Sequence, residues 1–184
     1  STHPATQETL VTMLGRIRSM ALLHGSLHRS GTLGSLDLAA YLSEVTGQAF
    51  KVHQVDATGV ELTLDLVPVE AGMDQATPCG LLVNELISNA LKHAFAPGQS
   101  GEICVRLYPD PEEGFWRLSV SDDGVGLPAG YKETRKASLG LQLASELAMQ
   151  MGGHMETSSL PAQGARFEVR FRLTRPAALE MPAL

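Results

Sequence analysis

One helical segment constrains this chain more than any other feature of the sequence. It runs from Thr77 to about Phe95, and its apolar positions follow helical spacing: Leu81, Leu82, Leu86, Ile87, Ala90 and Leu91. Within it, Glu85, Asn89 and His93 stand four residues apart, which places three polar groups on one stripe of the helix. Because a buried helix does not normally carry such a stripe without a ligand, the segment predicts a core helix that faces a bound molecule.

Composition narrows the class of that ligand. The chain has 184 residues, 43% of them hydrophobic, which suffices for one compact domain with an extra helical element. Its formal net charge of −6 argues against a nucleic-acid partner, because proteins that bind the phosphate backbone normally carry a basic surface. Any phosphate chemistry should therefore involve a small molecule.

The cysteines and the apolar runs predict the cellular setting. Cys79 and Cys104 have no second cysteine or histidine at metal-ligand spacing, which fits a reducing, cytoplasmic protein. No apolar run approaches the roughly 20 residues that span a bilayer, so we expect no membrane contact by this segment. A longer parent protein would still be free to carry a membrane anchor.

Helices and strands are mixed along the chain. Two helices are predicted first, from Thr6 to about His28 and from Leu36 to Gly47, the second with Ser35 as its N-cap. Alternating patterns then predict these strands: Phe50–Val55, Val60–Leu66, Gly101–Leu107, Phe115–Ser121, His154–Ser158 and Arg166–Leu173. A further helix is expected from Leu139 to Met151. This order indicates an α+β sandwich with helices on one face of a mainly antiparallel sheet.

Two glycine-containing segments accompany the core helix. The first, Asp122 to Gly126, follows a strand directly and contains Gly124 and Gly126, which allow close approach of backbone to a ligand. The second, Ser138 to Leu141, opens a helix whose free N–H groups suit a phosphate. Taken singly, the first also reads as an ordinary turn and the second as an ordinary helix start.

Taken together and in order, these segments resemble a known family. The sequence Asn84-Glu85-Leu86 with Asn89-Ala90-Leu91-Lys92-His93-Ala94-Phe95, followed by Asp122-Asp123-Gly124-Val125-Gly126, Gly140 and Gly164-Ala165-Arg166-Phe167, resembles the N, G1 and G2 boxes of histidine kinases. These belong to the ATPase superfamily shared with gyrase, a heat-shock chaperone and a mismatch-repair protein. With the segment Arg16 to His24, the resemblance extends to a histidine kinase subgroup that often senses light or stress, and it covers roughly residues 8 to 173.

The resemblance implies a fold and a division of the chain. The fold would be the Bergerat-type ATP-binding sandwich, in which helices cover one face of a mixed, mainly antiparallel sheet. Residues 1–48 would be part of the helical dimerisation and phosphotransfer segment, residues 49–174 the ATP-binding domain, and residues 175–184 a disordered tail.

The resemblance also implies roles for the core helix. Asn89 would bind Mg²⁺ between the ATP phosphates, with Glu85 beside the ion or its waters, since oxygen ligands suit this hard cation. Both residues would be catalytic. Lys92 would contact a phosphate, and His93 would support the nucleotide site.

The glycine segments would hold the rest of the nucleotide. Asp122 would accept a hydrogen bond from the adenine amino group, which selects ATP over GTP, while Gly124 and Gly126 let the loop pass close to the base. The backbone around Gly140 would bind the phosphates, namely at Ser138, Leu139, Gly140 and Leu141. The intervening lid would offer Lys132 as a phosphate contact, although a solvated loop charge is an equal alternative.

The implied activity is transfer of the ATP γ-phosphoryl group to a histidine, for relay to an aspartate of a response-regulator receiver domain. We expect the chain to lack the phosphoacceptor, because no acceptor box of the subgroup occurs in it, and therefore to bind Mg-ATP without much autophosphorylation. The N-terminal helices would form a homodimer. The alternatives are an anti-sigma-factor-type protein serine kinase and a phosphotransfer adaptor that does not bind ATP.

Overall fold

The computed structural model describes residues 34–53, 59–128, 131, 139–159 and 163–174, together with Met13, Leu14, Ile17, Ala21 and Gly25, which are helical. The elements in chain order are β1 Ser35–Asp37, α1 Leu38–His53, β2 Val60–Leu66, β3 Glu70–Gly72, α2 Met73–His93, β4 Gly101–Pro109, β5 Phe115–Asp122, α3 Leu139–Gln150, β6 His154–Ser159 and β7 Ala165–Arg172.

Within the described ranges, the strands form a five-stranded sheet in the order β2-β4-β5-β7-β6 and a small pair of β1 with β3. Strand β2 runs parallel to β4, whereas the other neighbours in the large sheet are antiparallel. Strands β4 and β5 form a hairpin, with Leu107 opposite Leu118. The fold is the α+β sandwich with a mixed, mainly antiparallel sheet that the sequence predicts.

The core lies between one face of this sheet and the helices. Alternate residues of β4 and β7 point into it and are buried: Ile103, Val105, Leu107, Ala165, Phe167, Val169 and Phe171. Helix α2 packs against α1 on one side and against α3 on the other. Residues from all three helices and from the sheet therefore share a single apolar cluster.

Helices α1 and α2 approach each other closely at one glycine. A Cβ atom on Gly80 would overlap the hydroxyl group of Tyr41, so only glycine permits this distance. The Tyr41 ring is 1% exposed, and burial raises the pKa of its hydroxyl well above the usual value.

The structure corrects the predicted ends of α1. The predicted strand from Phe50 is wrong for residues 50–53, which continue the helix to His53, while residues 54 and 55 lie outside the described ranges. Buried Val45, Ala49 and Phe50 extend one helical stripe, and packing on α2 outweighs the β-branched composition.

The predicted cap of α1 is also wrong. Ser35 lies in β1, and the Oδ1 atom of Asp37 instead accepts hydrogen bonds from the N–H groups of Ala39 and Ala40, at 2.9 and 3.2 Å.

The predicted start of α2 is also corrected. Helix α2 begins at Met73, four residues before the predicted start, and includes Pro78. The Thr77 hydroxyl donates to the Met73 carbonyl at 2.7 Å in this first turn.

Helix α1 also bears on the division of the chain. It runs across residue 48, the predicted domain boundary, and its buried side belongs to the same apolar cluster as the sheet. The core therefore has no break at this position among the described residues.

Five positions of the predicted N-terminal helix belong to the described residues, whereas the predicted C-terminal tail lies outside them. The five helical positions named above fall in the first predicted helix, and Met13, Leu14 and Ile17 expose about half or more of their surfaces. The remaining residues before Gly34, including His24 and His28, and residues 175–184 lie outside the described ranges. No helix among the described residues is both long and apolar enough to cross a membrane.

Candidate functional site

A cavity of about 530 Å³ opens between the C-terminal half of α2 and the segment that follows β5. Its lining combines a few polar groups with a largely apolar wall, as is usual for small-molecule sites. The lining residues are Asn89, Ala90, His93, Ala94, Asp122, Val125, Gly126, Leu127, Pro128, Tyr131, Leu141, Ala165 and Phe167.

The polar stripe of α2 meets the first turn of α3. A Cβ atom on Gly140 would lie 3.4 Å from Oε2 of Glu85 and 3.6 Å from Oδ1 of Asn89. Glu85 is 3% exposed, and the Nδ2 atom of Asn89 is buried without a hydrogen-bond partner among the described residues. Two motifs that are about fifty residues apart in sequence are thus brought together at one end of α3.

Asp122 supplies the carboxylate of the cavity. Its Oδ1 atom accepts hydrogen bonds from the N–H groups of Gly124 and Ala165, at 3.0 and 3.3 Å. Burial raises the pKa of Asp122, as does the neighbouring charge of Asp123, while the two N–H donors partly oppose this shift. No described residue donates a hydrogen bond to Oδ2, which leaves one acceptor oxygen for a ligand.

The loop after Asp122 is held against the end of α2. A Cβ atom on Gly124 would overlap the carbonyl group of Ala94, and the N–H group of Val125 donates to that same carbonyl at 2.9 Å. Gly126 has φ +77°, a conformation that favours glycine. The two predicted glycines are therefore required by close approach at Gly124 and by backbone conformation at Gly126.

Two aromatic rings form part of the apolar wall. Tyr131 and Phe167 meet edge to face, with ring centroids 6.3 Å apart and an interplanar angle of 69°. Leu127 and Leu141 complete a surface that suits a flat, weakly polar ring. Tyr131 was not among the residues predicted from the sequence, since neither spacing nor motif marks it.

The last two residues of α2 differ in their position relative to the cavity. His93 is exposed and lines the cavity, whereas Lys92 is exposed and is not among the lining residues. Its positive charge instead acts on His53, the last residue of α1. Burial lowers the pKa of His53, Lys92 lowers it further, and Glu85 acts in the opposite direction. His53 thus lies within electrostatic range of the polar stripe, which its position in a predicted strand did not indicate.

Several predicted residues cannot be compared with the cavity. Lys132 and Ser138 lie outside the described residues, and Leu139 is the first residue of α3 with an undescribed side chain. The part of the chain that the structure describes contains no group of three or more histidine, cysteine, aspartate or glutamate side chains able to hold a metal ion.

Comparison with protein families matches residues 74–175 to the histidine kinase-, DNA gyrase B- and HSP90-like ATPases and residues 1–53 to a histidine kinase family. Among curated proteins, blue-light-activated histidine kinase 2 of Erythrobacter litoralis is 27% identical over 148 residues, which are 78% of this chain and 42% of that protein. The sensor histidine kinase PdtaS of Mycobacterium tuberculosis is 30% identical over 145 residues, which are 77% of this chain and 28% of that protein. The chain therefore spans less than half the length of these relatives.

Solved structures share the fold. The histidine kinase domain of a blue-light-activated histidine kinase from Erythrobacter litoralis superposes with a TM-score of 0.77 at 23% identity, covering 88% of this chain and 75% of that one. The mycobacterial sensor histidine kinase MprB gives a TM-score of 0.57 at 19% identity, covering 76% and 97%. The family match spans more than half of the chain, including α2 from its second residue onward, the loop after β5 and α3. The chain belongs to the histidine kinase-, DNA gyrase B- and HSP90-like ATPase family, as a sensor histidine kinase catalytic core.

Proposed function

We propose that this chain binds ATP together with Mg²⁺ in the cavity beside α2 and presents the γ-phosphoryl group for transfer to a histidine, for relay to a response-regulator aspartate. The observation that carries the proposal is a single cavity lined by both the buried amide of Asn89 and the carboxylate of Asp122. Each has a polar atom without a partner among the described residues, as expected of a site that awaits a ligand.

The Asp122 end suits the adenine base. The free Oδ2 atom of Asp122 would accept a hydrogen bond from the adenine amino group, and the apolar wall with Tyr131 and Phe167 would cover the ring. Guanine carries a carbonyl at the corresponding position, which would face a carboxylate oxygen without a hydrogen between them. The arrangement therefore favours ATP over GTP.

The start of α3 suits the phosphates. This helix has 12 residues, so its first-turn N–H groups, around Leu139, Gly140 and Leu141, form a partly positive end. Gly140 lies against the stripe of Glu85 and Asn89, so a phosphate bound there would be close to both side chains.

The same side chains fit Mg²⁺. This ion typically binds one or two protein oxygens and completes its shell with phosphate oxygens and water. The site offers the Oδ1 atom of Asn89 and the carboxylate of Glu85. When bound, the ion would neutralise phosphate charge. For Lys92 and Lys132 as phosphate contacts the motif resemblance is the only support, because Lys92 does not line the cavity and Lys132 lies outside the described residues.

We also propose where the ATP-binding domain begins and how the chain associates. The sharing of one core by α1 and the sheet supports a start near Ser35 rather than at residue 49. The exposed apolar side chains Met13, Leu14 and Ile17, which recur at helical spacing, support dimerisation through the N-terminal helices. A receiver domain as partner, and a cytoplasmic setting, follow from the proposed kinase function.

Titration calorimetry of Mg-ATP and Mg-GTP tests the binding proposal. We expect the wild-type chain to prefer ATP by about tenfold or more, and Asn89→Ala and Asp122→Ala to weaken ATP binding about 100-fold. Asp123→Ala is the matched control, because this neighbouring carboxylate is exposed and bonds to the Glu102 N–H instead, at 2.7 Å. A wild-type chain that binds neither nucleotide would refute the proposal and favour the adaptor.

Phosphoryl incorporation is tested separately. Since no acceptor box of the subgroup occurs in the sequence, we propose that the chain alone incorporates little phosphoryl group from ATP. The measurement is incubation with γ-labelled ATP, followed by acid and base treatment. Stable incorporation that is labile in acid and resistant to base would identify a phosphohistidine and contradict this expectation.

A further inference from the structure

We propose that Ser159, the last residue of β6, is a positioning residue for nucleotide recognition, whose hydroxyl group completes a chain of hydrogen bonds that orients the Asp122 carboxylate. The inference rests on the proposed function, because it assigns to Ser159 a part in presenting Asp122 to adenine. Ser159 does not itself line the cavity among the described residues. It would act through Leu127 and Ala165, which do.

The chain of hydrogen bonds begins at the loop and ends at the carboxylate. The Leu127 N–H group donates to the Ser159 hydroxyl oxygen at 2.8 Å, and the Ser159 hydroxyl donates to the Gly164 carbonyl at 2.8 Å. The same peptide group carries the Ala165 N–H, which donates to Oδ1 of Asp122 at 3.3 Å. Gly124 N–H donates to that same oxygen, so both ends of the loop 124–127 are joined to one peptide group.

This arrangement assigns different tasks to the two carboxylate oxygens. Oδ1 of Asp122 is occupied by two backbone donors, which restricts rotation of the carboxylate and leaves Oδ2 as the acceptor available to a ligand. If the Gly164–Ala165 peptide rotates, one of the two donors leaves Oδ1. The Ser159 hydroxyl opposes that rotation because it holds the carbonyl of the same peptide.

The backbone geometry at Gly164 excludes a side chain there that could replace the Ser159 hydroxyl group. Gly164 has φ +79°, and a Cβ atom there would overlap the carbonyl group of Asp122. No other residue type fits this position without strain, so a side chain at residue 164 cannot take over the task. The hydroxyl comes from the neighbouring strand, where Ser159 lies directly opposite Ala165.

The adjacent serine provides a matched control. Ser158 precedes Ser159 in β6, so its side chain points to the opposite face of the sheet and is exposed. Ser158→Ala therefore makes the same chemical change one residue away from the hydrogen-bond chain. Ser159→Thr keeps the hydroxyl and serves as the conservative variant.

The test compares ATP with inosine triphosphate, whose base carries a carbonyl in place of the amino group, by calorimetry with Mg²⁺. We expect Ser159→Ala to weaken ATP binding about tenfold, the cost of one misplaced hydrogen bond to a charged group, and to weaken inosine triphosphate binding less. The preference for ATP should therefore fall. Ser159→Thr and Ser158→Ala should keep the wild-type preference.

The outcomes separate this inference from the proposed function. If the wild type prefers ATP and Ser159→Ala keeps the full preference, the positioning role is refuted and the nucleotide site stands. An equal loss for both nucleotides would indicate a structural role and also refute it. Failure of the wild type to bind ATP refutes the proposed function and this inference together. If Ser159→Ala does not fold by circular dichroism, Ser159→Cys replaces it, and an unchanged preference there overturns the proposal.

Discussion

The two faces of the five-stranded sheet differ in how completely their charged side chains are hydrogen-bonded. On the face away from the helices, Glu168 accepts hydrogen bonds from Arg117 and Tyr108, each at 2.7 Å, and a further one from Arg166. Arg106 pairs with Asp65 on the same face at 2.8 Å. On the face that packs against the helices, Asp122 retains an oxygen without a described partner, and the uncharged side chain of Asn89 on α2 retains an unpartnered nitrogen in the same cavity.

A single strand contributes to both faces. In β5, Arg117 points to the open face, whereas Asp122, an odd number of residues later, lies on the side of the helices. The carboxylates whose hydrogen bonds are complete within the chain serve to stabilise the fold. The group that burial leaves with an unused acceptor is the one we assign to a ligand. Asp122 is distinguished by the combination of burial, an unused acceptor and a position in the wall of the cavity.

The largest expected effect comes from Asp122→Asn, which places an amide where we propose that adenine donates a hydrogen bond. We expect ATP affinity to fall about 100-fold, because the two backbone N–H groups keep the amide oxygen in the Oδ1 position and an NH₂ group then faces the adenine amino donor. The melting temperature at pH 7 should stay unchanged or rise. The raised pKa of Asp122 means that its ionised form opposes folding above that pKa, and this cost disappears in the amide. Calorimetry measures the ATP affinity and thermal melts measure the melting temperature. An unaltered ATP affinity would contradict the assignment of Asp122 to a ligand.

The same change on the open face, Glu168→Gln, should have the opposite result. We expect unaltered ATP affinity and a loss of about 1–2 kcal/mol in the free energy of unfolding, since Arg117 and Arg166 lose a charged partner. Urea denaturation measures this loss. A fall in ATP affinity comparable to that of Asp122→Asn would show that the open face is coupled to the cavity.

The stability difference between wild type and Glu168→Gln should depend on pH. Burial acts to raise the pKa of Glu168, but hydrogen bonds from Tyr108, Arg166 and Arg117 outweigh it and hold the pKa below its usual range. The stabilisation is therefore complete above about pH 5 and is lost as the pH falls through the lowered pKa. Denaturation curves between pH 7 and pH 3 should show the two proteins converging, and a constant difference would contradict this.

The smallest effect is expected at Asp65. Its pair with Arg106 is exposed on both sides, with 56% and 41% of the side-chain surfaces accessible. Asp65→Asn should cost less than about 0.5 kcal/mol and should vary with salt, as exposed ion pairs usually do. A loss as large as that of Glu168→Gln would mean that the contribution of an ion pair on this face to the free energy of unfolding does not depend on its exposure.

The sequence predicts the five strands of the large sheet better than the two short strands and the ends of α1. Strands β2 and β4 to β7 lie within two residues of their predicted ends, because alternation of apolar and polar residues is a local pattern. Strands β1 and β3 have three residues each and are too short to show that pattern. The ends of α1 depended on packing against α2, which the sequence does not display locally.

The site divides along the same line. Asn89, Asp122 and Gly126 stand in recognisable motifs, and the structure brings them to one cavity. Ser159 and His53 have no motif, since their relevance arises only where a strand end or a helix end meets another element. Lys92 belongs to the motif, yet its side chain does not line the cavity. Motifs therefore identify the residues that we propose bind a ligand, but not Ser159, which we propose holds one of them in place.

The parallel pairing of β2 with β4 has a consequence for the time course of folding. Strands β4 and β5, and likewise β6 and β7, are close in sequence, whereas β2 and β4 are about 40 residues apart and β5 and β7 are about 50 residues apart. Contacts between distant segments form slowly because the intervening chain must first lose its freedom. We therefore expect the two hairpins to form before the β2–β4 and β5–β7 pairings, and we expect β2, which lies at the edge of the sheet, to exchange its amide hydrogens early.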